Sequence, residues 1–176
     1  MNIFLPYEND IGASVQSLDD VRLNKQILEC YQLVQNCIKE NDGEKIKGYK
    51  NHPVYVFYKN SPDFLIYYGK KCCDEYFFRF RKKHKLNGRF WELSVFYKLS
   101  VAFSVVFNNT LFEYTPFYME GSKGQPNYIR TTENVSKLFQ AKLCKKWEQD
   151  KAKGRMPKWT NRQVPEFYRK EMMKSE

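Results

Sequence analysis

The sequence has little of what a metal site or a disulfide framework needs. Its 176 residues include only two histidines, His52 and His84. The cysteines are odd in number, contain no CxxC pair and fall mostly in apolar stretches that are predicted to be helical. They are Cys30, Cys37, Cys72, Cys73 and Cys144. This pattern predicts buried thiols in a reducing compartment, and it argues against a disulfide scaffold and against a zinc or iron site made of protein ligands.

Long hydrophobic runs and cofactor-binding motifs are also missing. No uncharged apolar stretch approaches about 18 residues, and no segment resembling a signal peptide precedes the first predicted helix. We therefore expect an intracellular, cytoplasmic protein that does not associate with a membrane. The sequence contains no P-loop, no GxGxxG and no nucleophile elbow, so cofactor-dependent chemistry and phosphoryl transfer are poorly supported.

Basic and aromatic residues, in contrast, are abundant. The chain has 30 Lys and Arg against 20 Asp and Glu, a formal net charge of +10, and 17% aromatic residues. Cations neutralise phosphates and aromatic rings stack on exposed bases, so this composition favours a nucleic-acid partner. Most of the rings are nevertheless expected in the core. The length fits one domain over residues 1–176.

The most informative stretch is SLDDVRLNKQILECYQLVQNCI, residues 17–38, which predicts a long amphipathic helix capped by Ser17. Its apolar positions recur at spacings of three and four. They are Leu23, Ile27, Cys30, Tyr31, Val34, Cys37 and Ile38. Arg22, Lys25 and Glu29 fall within about 60° of arc on the opposite face, turned away from the core. That face is either a reaction centre or an ordinary solvated surface with a Lys25–Glu29 ion pair.

Further start signals predict an all-α fold with a short extended N-terminal segment and long loops. Pro53 is well placed to open a helix, and Ser61-Pro62-Asp63 should open another that ends near Phe80. Thr132 should open a further helix that ends near Lys151. The expected inner face of the latter is Val135, Leu138, Phe139, Leu143 and Trp147. Residues 8–16 read as a loop, an apolar helix is expected over 89–108, and 160–176 reads as a C-terminal tail.

The end of the helix near Phe80 is strongly basic. It places six cations within eleven residues: Arg79, Arg81, Lys82, Lys83, Lys85 and Arg89. Cations suit a helix C-terminus because of the helix dipole, but six exceed that need. The cluster is therefore interpreted either as a surface that contacts phosphates or as a merely solubilising one.

Four segments, MNIFLPY, SLDDVRLNKQILECYQL, GYKNHPVYVFY and LIYYGKKCCDEY, resemble the pyrimidine-dimer DNA glycosylase family. This family includes phage endonuclease V and a group of bacterial and phage homologues with a FLPY opening, an LDDxRLxKQxxE helix and an NHP motif. The resemblance covers about residues 1–80; VSKLFQAKLCKKW more weakly resembles the group's C-terminal helix, and residues 86–130 are unplaced. It implies a compact, single-domain, all-α fold resembling endonuclease V, without cofactor or metal. It also implies a monomer that binds double-stranded DNA with a flipped or damaged base.

The resemblance implies removal of a damaged pyrimidine through an imine between an enzyme amine and the deoxyribose C1′, followed by β-elimination at the abasic site. Matching positions brings the family's essential carboxylate onto Glu29, which can stabilise oxocarbenium-like charge and move protons. The amine is either the α-amine of Met1 or Lys25, which lies one turn before Glu29. In endonuclease V it is the amine exposed once the initiator Met is removed, a step that Asn2 should discourage here. An α-amine has a reference pKa near 8, against about 10.4 for lysine, so more of it is neutral at pH 7.

Several other residues are expected to contact DNA. Arg22 is assigned to a phosphate beside the lesion and Gln26 to a flipped base or to the backbone. His52 either touches DNA or bonds local backbone in a turn. The remaining predicted DNA-binding residues are Asn2, Arg79, Arg81, Lys82, Lys142 and Lys145. The alternatives to a glycosylase are a non-catalytic DNA-binding protein that retains the fold and, with weaker support, a metal nuclease around Asn51 and His52.

Overall fold

The computed structural model describes residues 3–46, 48–95 and 132–173, and within these ranges the chain forms seven helices and no strand. They are α1 (Ile11–Gln16), α2 (Asp20–Asn41), α3 (Pro53–Tyr58), α4 (Pro62–Phe80), α5 (87–95), α6 (Glu133–Lys151) and α7 (Glu166–Met173). The predicted all-α class is confirmed. Two predicted site residues, Met1 and Asn2, lie outside the described residues. So do residues 96–130, which make up most of the unplaced region 86–130 and include most of the helix expected over 89–108.

The predicted proline and threonine signals mark the starts of three helices. Pro53 and Pro62 occupy the first turns of α3 and α4, and the side chain of Thr132 caps α6. α4 ends at Phe80 as expected, because Arg81 adopts the left-handed conformation with φ of 54°. A residue in that conformation ends a helix and redirects the chain.

α2 begins later than the sequence predicts. Its N-cap is Asp19, whose Oδ1 accepts hydrogen bonds from the backbone N–H groups of Val21 and Arg22 at 3.0 and 3.1 Å. Ser17, the predicted cap, instead donates its hydroxyl to the carbonyl of Ser14 at 2.7 Å, at the end of α1. α1 itself lies in the segment 8–16, where the sequence predicts a loop.

α2 packs most extensively against α4, and the two helices bury apolar side chains in one hydrophobic core. The fully buried members include Leu23, Ile27, Cys30 and Val34 of α2 and Phe64, Leu65, Tyr68 and Cys72 of α4. α6 follows its predicted pattern only in its second half: Leu143 and Trp147 are buried, but Val135 and Leu138 are 39% and 63% exposed. The first half of α6 therefore does not bury that face within the described residues.

Aromatic rings fasten the C-terminal segment to α6. The ring of Trp147 lies 5.0 Å from that of Trp159, 4.6 Å from that of Tyr168 and 5.8 Å from that of Phe167, measured between centroids. The predicted tail is therefore packed through α7. This cluster also fixes the connector between α6 and α7, residues 152–165, next to the start of α2.

Arg79 is a buried structural residue, and its predicted contact with phosphate is wrong. Its side chain is 0% exposed, and Nε donates to Glu75 Oε1 at 2.8 Å. Its Nη1 donates to Asp20 Oδ1 at 2.9 Å and to the carbonyl of Leu18 at 2.8 Å. Glu75 also accepts two hydrogen bonds from Arg162 at 2.8 and 2.7 Å. Because a buried cation needs such partners, Arg79 serves to join α4 to the start of α2.

Candidate active site

A pocket of about 270 Å³ lies between the first half of α2, the extended N-terminal segment and the end of α6. Five basic and three acidic side chains are among its lining residues. The full lining consists of Phe4, Asp19, Val21, Arg22, Lys25, Gln26, Glu29, Lys146, Gln149, Asp150, Lys153, Arg155, Met156 and Pro157. The three charged residues predicted to share one face of α2 thus line a single concave site.

Glu29 is a carboxylate with little access to solvent in this pocket. The residue is 6% exposed, although the sequence predicts it on a face turned away from the core. Its Oε2 accepts a hydrogen bond from Gln26 Nε2 at 3.2 Å, and its Oε1 lies 3.7 Å from Lys25 Nζ. The Lys25–Glu29 ion pair expected for an ordinary solvated surface is therefore present. The carboxylate of Glu29 is nevertheless largely covered, whereas the side chain of Lys25 is 64% exposed.

Gln26 joins this carboxylate to the N-terminal segment. Its Oε1 accepts hydrogen bonds from the backbone N–H of Phe4 at 3.2 Å and from the hydroxyl of Tyr68 at 3.3 Å. The same Tyr68 hydroxyl lies 2.9 Å from the carbonyl oxygen of Phe4. The chain that leads to Met1 and Asn2 is thus held beside Glu29. Those two residues lie outside the described part of the chain.

Arg22 braces the pocket wall, and its predicted contact with a phosphate stays a prediction. Its Nη1 donates to Asp19 Oδ2 at 2.8 Å and its Nη2 to Asp150 Oδ2 at 2.7 Å. Asp19 Oδ2 also accepts the indole N–H of Trp147. The hydrogen bond from Arg22 is the main reason that the pKa of Asp150 is lowered. The guanidinium is therefore used to tie α2 to α6.

The cations around the pocket come from two helices and a connector. Lys25 of α2, Lys146 of α6, and Lys153 and Arg155 of the connector all line it. Three of them are exposed, whereas Lys146 is half-buried. Cations grouped around a concave site attract a polyanion and hold its phosphates near the site.

Residues 1–87 match the sequence model for the pyrimidine dimer DNA glycosylase family. The resemblance to this family seen in the sequence is therefore confirmed over residues 1–87, just under half of the chain. The matched region contains α1 to α4 and, within them, Glu29, Gln26 and Lys25. No curated protein and no solved structure gives a significant match to the chain. The expected likeness to the arrangement of endonuclease V therefore stays a prediction.

α6 contributes to the pocket from outside the glycosylase family match. Lys146, Gln149 and Asp150 of α6 line it, as does Lys153 of the connector, although none of these four is among the DNA-binding residues predicted from the sequence. Their spacing of three and four residues, beside the buried Trp147, is a signal that could have found them. The two α6 residues that were selected, Lys142 and Lys145, are exposed and do not line the pocket. Lys142 lies one turn before Lys146 on the same side of the helix.

The other predicted DNA-binding residues of the glycosylase match lie elsewhere. His52 caps α3, because its Nδ1 accepts a hydrogen bond from the backbone N–H of Val54 at 3.2 Å. This is the second of its two predicted roles, a hydrogen bond to local backbone. Arg81 and Lys82 are exposed beyond the end of α4, and neither lines the pocket. Their contact with DNA stays a prediction.

The described residues contain no group of three or more His, Cys, Asp or Glu side chains placed to hold a metal ion. All five cysteines are buried free thiols, as predicted. Burial raises the pKa of the Cys30 thiol well above its ordinary value, so it stays protonated. None of the helices in the described ranges has the length and apolarity needed to cross a membrane.

Proposed function

We propose that this protein is a DNA glycosylase that removes a damaged or modified pyrimidine from double-stranded DNA. In this proposal an enzyme amine forms an imine with C1′ of the deoxyribose, and Glu29 is the acid and base. Cleavage of the backbone at the abasic site by β-elimination would follow. The protein would act as a monomer, without a cofactor.

The observation that carries the proposal is the coupling of Glu29 to the N-terminal segment. Gln26 bonds the Glu29 carboxylate at 3.2 Å and the backbone N–H of Phe4 at 3.2 Å. The α-amine of Met1 is three residues from Phe4, and three extended residues span at most about 11 Å. An amine at that position can therefore approach the pocket that contains the carboxylate. Lys25 is the alternative amine, with its Nζ 3.7 Å from Glu29 Oε1.

The chemistry needs only these groups and water. The bond between C1′ and the base breaks, the base leaves with the bonding electrons, and the negative charge of Glu29 stabilises the positive charge that develops on the sugar. The neutral amine attacks C1′ and loses a proton, which Glu29 accepts in this proposal. Ring opening then gives the imine. Removal of a C2′ proton expels the 3′ phosphate, and water hydrolyses the imine to release the enzyme.

The pocket cations would hold the DNA during these steps. Lys25, Lys153 and Arg155 are exposed at its edge, so they can reach phosphates on either side of an opened nucleotide. Extrusion of the nucleotide is needed because C1′ is not accessible in the stacked duplex. A damaged pair costs less to open, and this difference contributes to selectivity.

Borohydride trapping on a duplex with a thymine dimer tests the proposal. Borohydride reduces an imine to a stable amine, so the wild-type protein should give a covalent adduct with the DNA. Glu29→Gln should abolish it, whereas Glu44→Gln, a matched change at an exposed acid away from the pocket, should not. Salt-dependent binding with no adduct and no base release across several pyrimidine lesions would instead establish a non-catalytic DNA-binding protein.

Peptide mapping of the adduct identifies the amine. Attachment at residue 1 would assign the α-amine, and Lys25→Met should then still form the adduct. Attachment at Lys25 would assign the side chain, and Lys25→Met should then abolish it. Chemical blocking of the α-amine gives the complementary control.

A further inference from the structure

Two large apolar side chains stand exposed at the mouth of the pocket. Val21 of α2 is 71% exposed and Met156 of the connector is 65% exposed, and both line the pocket. We call this pair the apolar rim. Single exposed apolar residues are common on protein surfaces, but this pair shares one charged concave site.

The two segments that carry the apolar rim are fixed to each other. The backbone N–H of Asp20 donates to the carbonyl of Lys158 at 2.8 Å. The indole N–H of Trp159 donates to the carbonyl of Ser17 at 2.8 Å. The rim residues therefore project from a connected support, and their arrangement does not have to be assembled when a ligand binds.

Exposed cations flank the apolar rim. Lys25, Lys153 and Arg155 line the same pocket, and the side chains of Lys25 and Arg155 are 64% and 67% exposed. A DNA backbone gives these cations phosphates, but it offers an apolar side chain only the small apolar surface of its sugars. The thymine methyl adds another small patch in the major groove, whereas the large apolar surfaces of DNA are the faces of the bases, which become accessible where two stacked bases separate.

We propose that the apolar rim inserts into the base stack and fills the gap left when a nucleotide turns into the pocket. The inference rests on the proposed glycosylase function, because it requires DNA at this pocket. Covering the newly exposed base faces offsets part of the cost of unstacking. The apolar rim thus lets the protein act on duplex DNA, where this cost is highest.

The test compares wild-type protein with the Val21→Ala/Met156→Ala double variant and with Leu28→Ala as a matched control. Leu28 is also an exposed apolar residue of α2, 42% exposed, but it does not line the pocket. The probe is a duplex with 2-aminopurine stacked beside a tetrahydrofuran abasic analogue, whose fluorescence rises on unstacking. All measurements are made at protein concentrations that saturate binding by anisotropy, so a lower signal does not reflect unbound DNA.

We expect the wild type and Leu28→Ala to raise the fluorescence, and the double variant to lose roughly half or more of that rise. The ratio of excision rates on duplex and single-stranded lesions should also fall by about tenfold in the double variant. An equal rise in all three proteins, or no rise with the wild type, would overturn the inference. Loss of the rise in the double variant, with base release absent in all three proteins, would support the apolar rim and refute the glycosylase function.

Discussion

Replacement of Gln26 by leucine should disconnect the N-terminal segment from Glu29. Gln26 is 1% exposed, and its amide makes hydrogen bonds with Phe4 N, Tyr68 Oη and Glu29 Oε2 at 3.2, 3.3 and 3.2 Å. Leucine fills most of the same space and can make none of them. The Tyr68 hydroxyl keeps its bond to the Phe4 carbonyl, whereas the Phe4 N–H loses its acceptor.

The expected loss of stability follows from these contacts. A buried donor without a partner costs about 1–3 kcal/mol, and a lost hydrogen bond to a charged group about 1.5–3 kcal/mol. We therefore expect the free energy of unfolding to fall by roughly 2.5–6 kcal/mol. For a protein of this size the melting temperature should drop by about 2–4 °C for each kcal/mol. Urea denaturation followed by circular dichroism measures the first quantity, and borohydride trapping measures the effect on chemistry.

Gln26→Glu tests the charge beside Glu29 while it keeps the link to the N-terminal segment. It keeps an acceptor for Phe4 and Tyr68 but places a second carboxylate against Glu29. Because like charges repel, the second carboxylate should lower the free energy of unfolding. Gln32→Leu, at an exposed position of α2, is the control. If Gln26→Leu unfolds within about 0.5 kcal/mol of the wild type and traps DNA equally well, Gln26 does not act as a link.

Three further changes test the scaffold and the basic surface. Gly69→Ala would place a Cβ 2.3 Å from Cε1 of Phe90, so we expect a lower melting temperature; overpacking costs about 1–3 kcal/mol and exceeds the gain in helix propensity. Phe90→Leu should partly restore it. Arg79→Met should lower the free energy of unfolding, measured by urea denaturation, by about 3–5 kcal/mol and leave the salt dependence of DNA binding unchanged. A weaker salt dependence would show that Arg79 does contact DNA. Burial, and then the charge of Lys85, lower the pKa of His84 below its ordinary 6.5. As the pH falls, His84 therefore becomes protonated in the unfolded chain before it does in the folded protein. The stability that the neutral ring contributes is complete above about pH 6.5 and is lost as the pH falls towards the pKa of the folded state. Thermal melts between pH 7.5 and 5 should show a smaller decline for His84→Gln than for the wild type, and equal declines would contradict this account.

The local signals of the sequence predict helices well because they act through neighbouring residues. Pro53, Pro62 and Thr132 begin helices through their own backbone restriction or side-chain cap, and the structure places them so. The start of α2 was harder to predict because Ser17 and Asp19 are both good caps. Asp19 takes that place and also bonds Arg22 and Trp147, the latter from a helix far along the chain.

The errors at the site have one physical origin, which is long-range contact. Arg22 and Glu29 looked solvated because a helical pattern cannot show that α6 and the connector, more than 100 residues later, cover that face. Asp150, which holds Arg22, is 128 residues away from it. Arg79 was misread for the same reason, since its partners Leu18 and Asp20 are 61 and 59 residues away. A basic residue at a helix end looks the same in sequence whether it is solvated or surrounded by acceptors.

The rate of N-glycosidic bond cleavage by Glu29→Gln tests the central claim most directly. Under single-turnover conditions on a duplex with a thymine dimer, removal of a general acid and base should slow this cleavage by about 10²–10⁴-fold. The affinity for the same duplex should stay within about threefold of the wild type, because Glu29 is buried and its carboxylate offers a phosphate no attractive contact. Equal rates of glycosidic bond cleavage by the variant and the wild type would show that this carboxylate is not the catalytic acid.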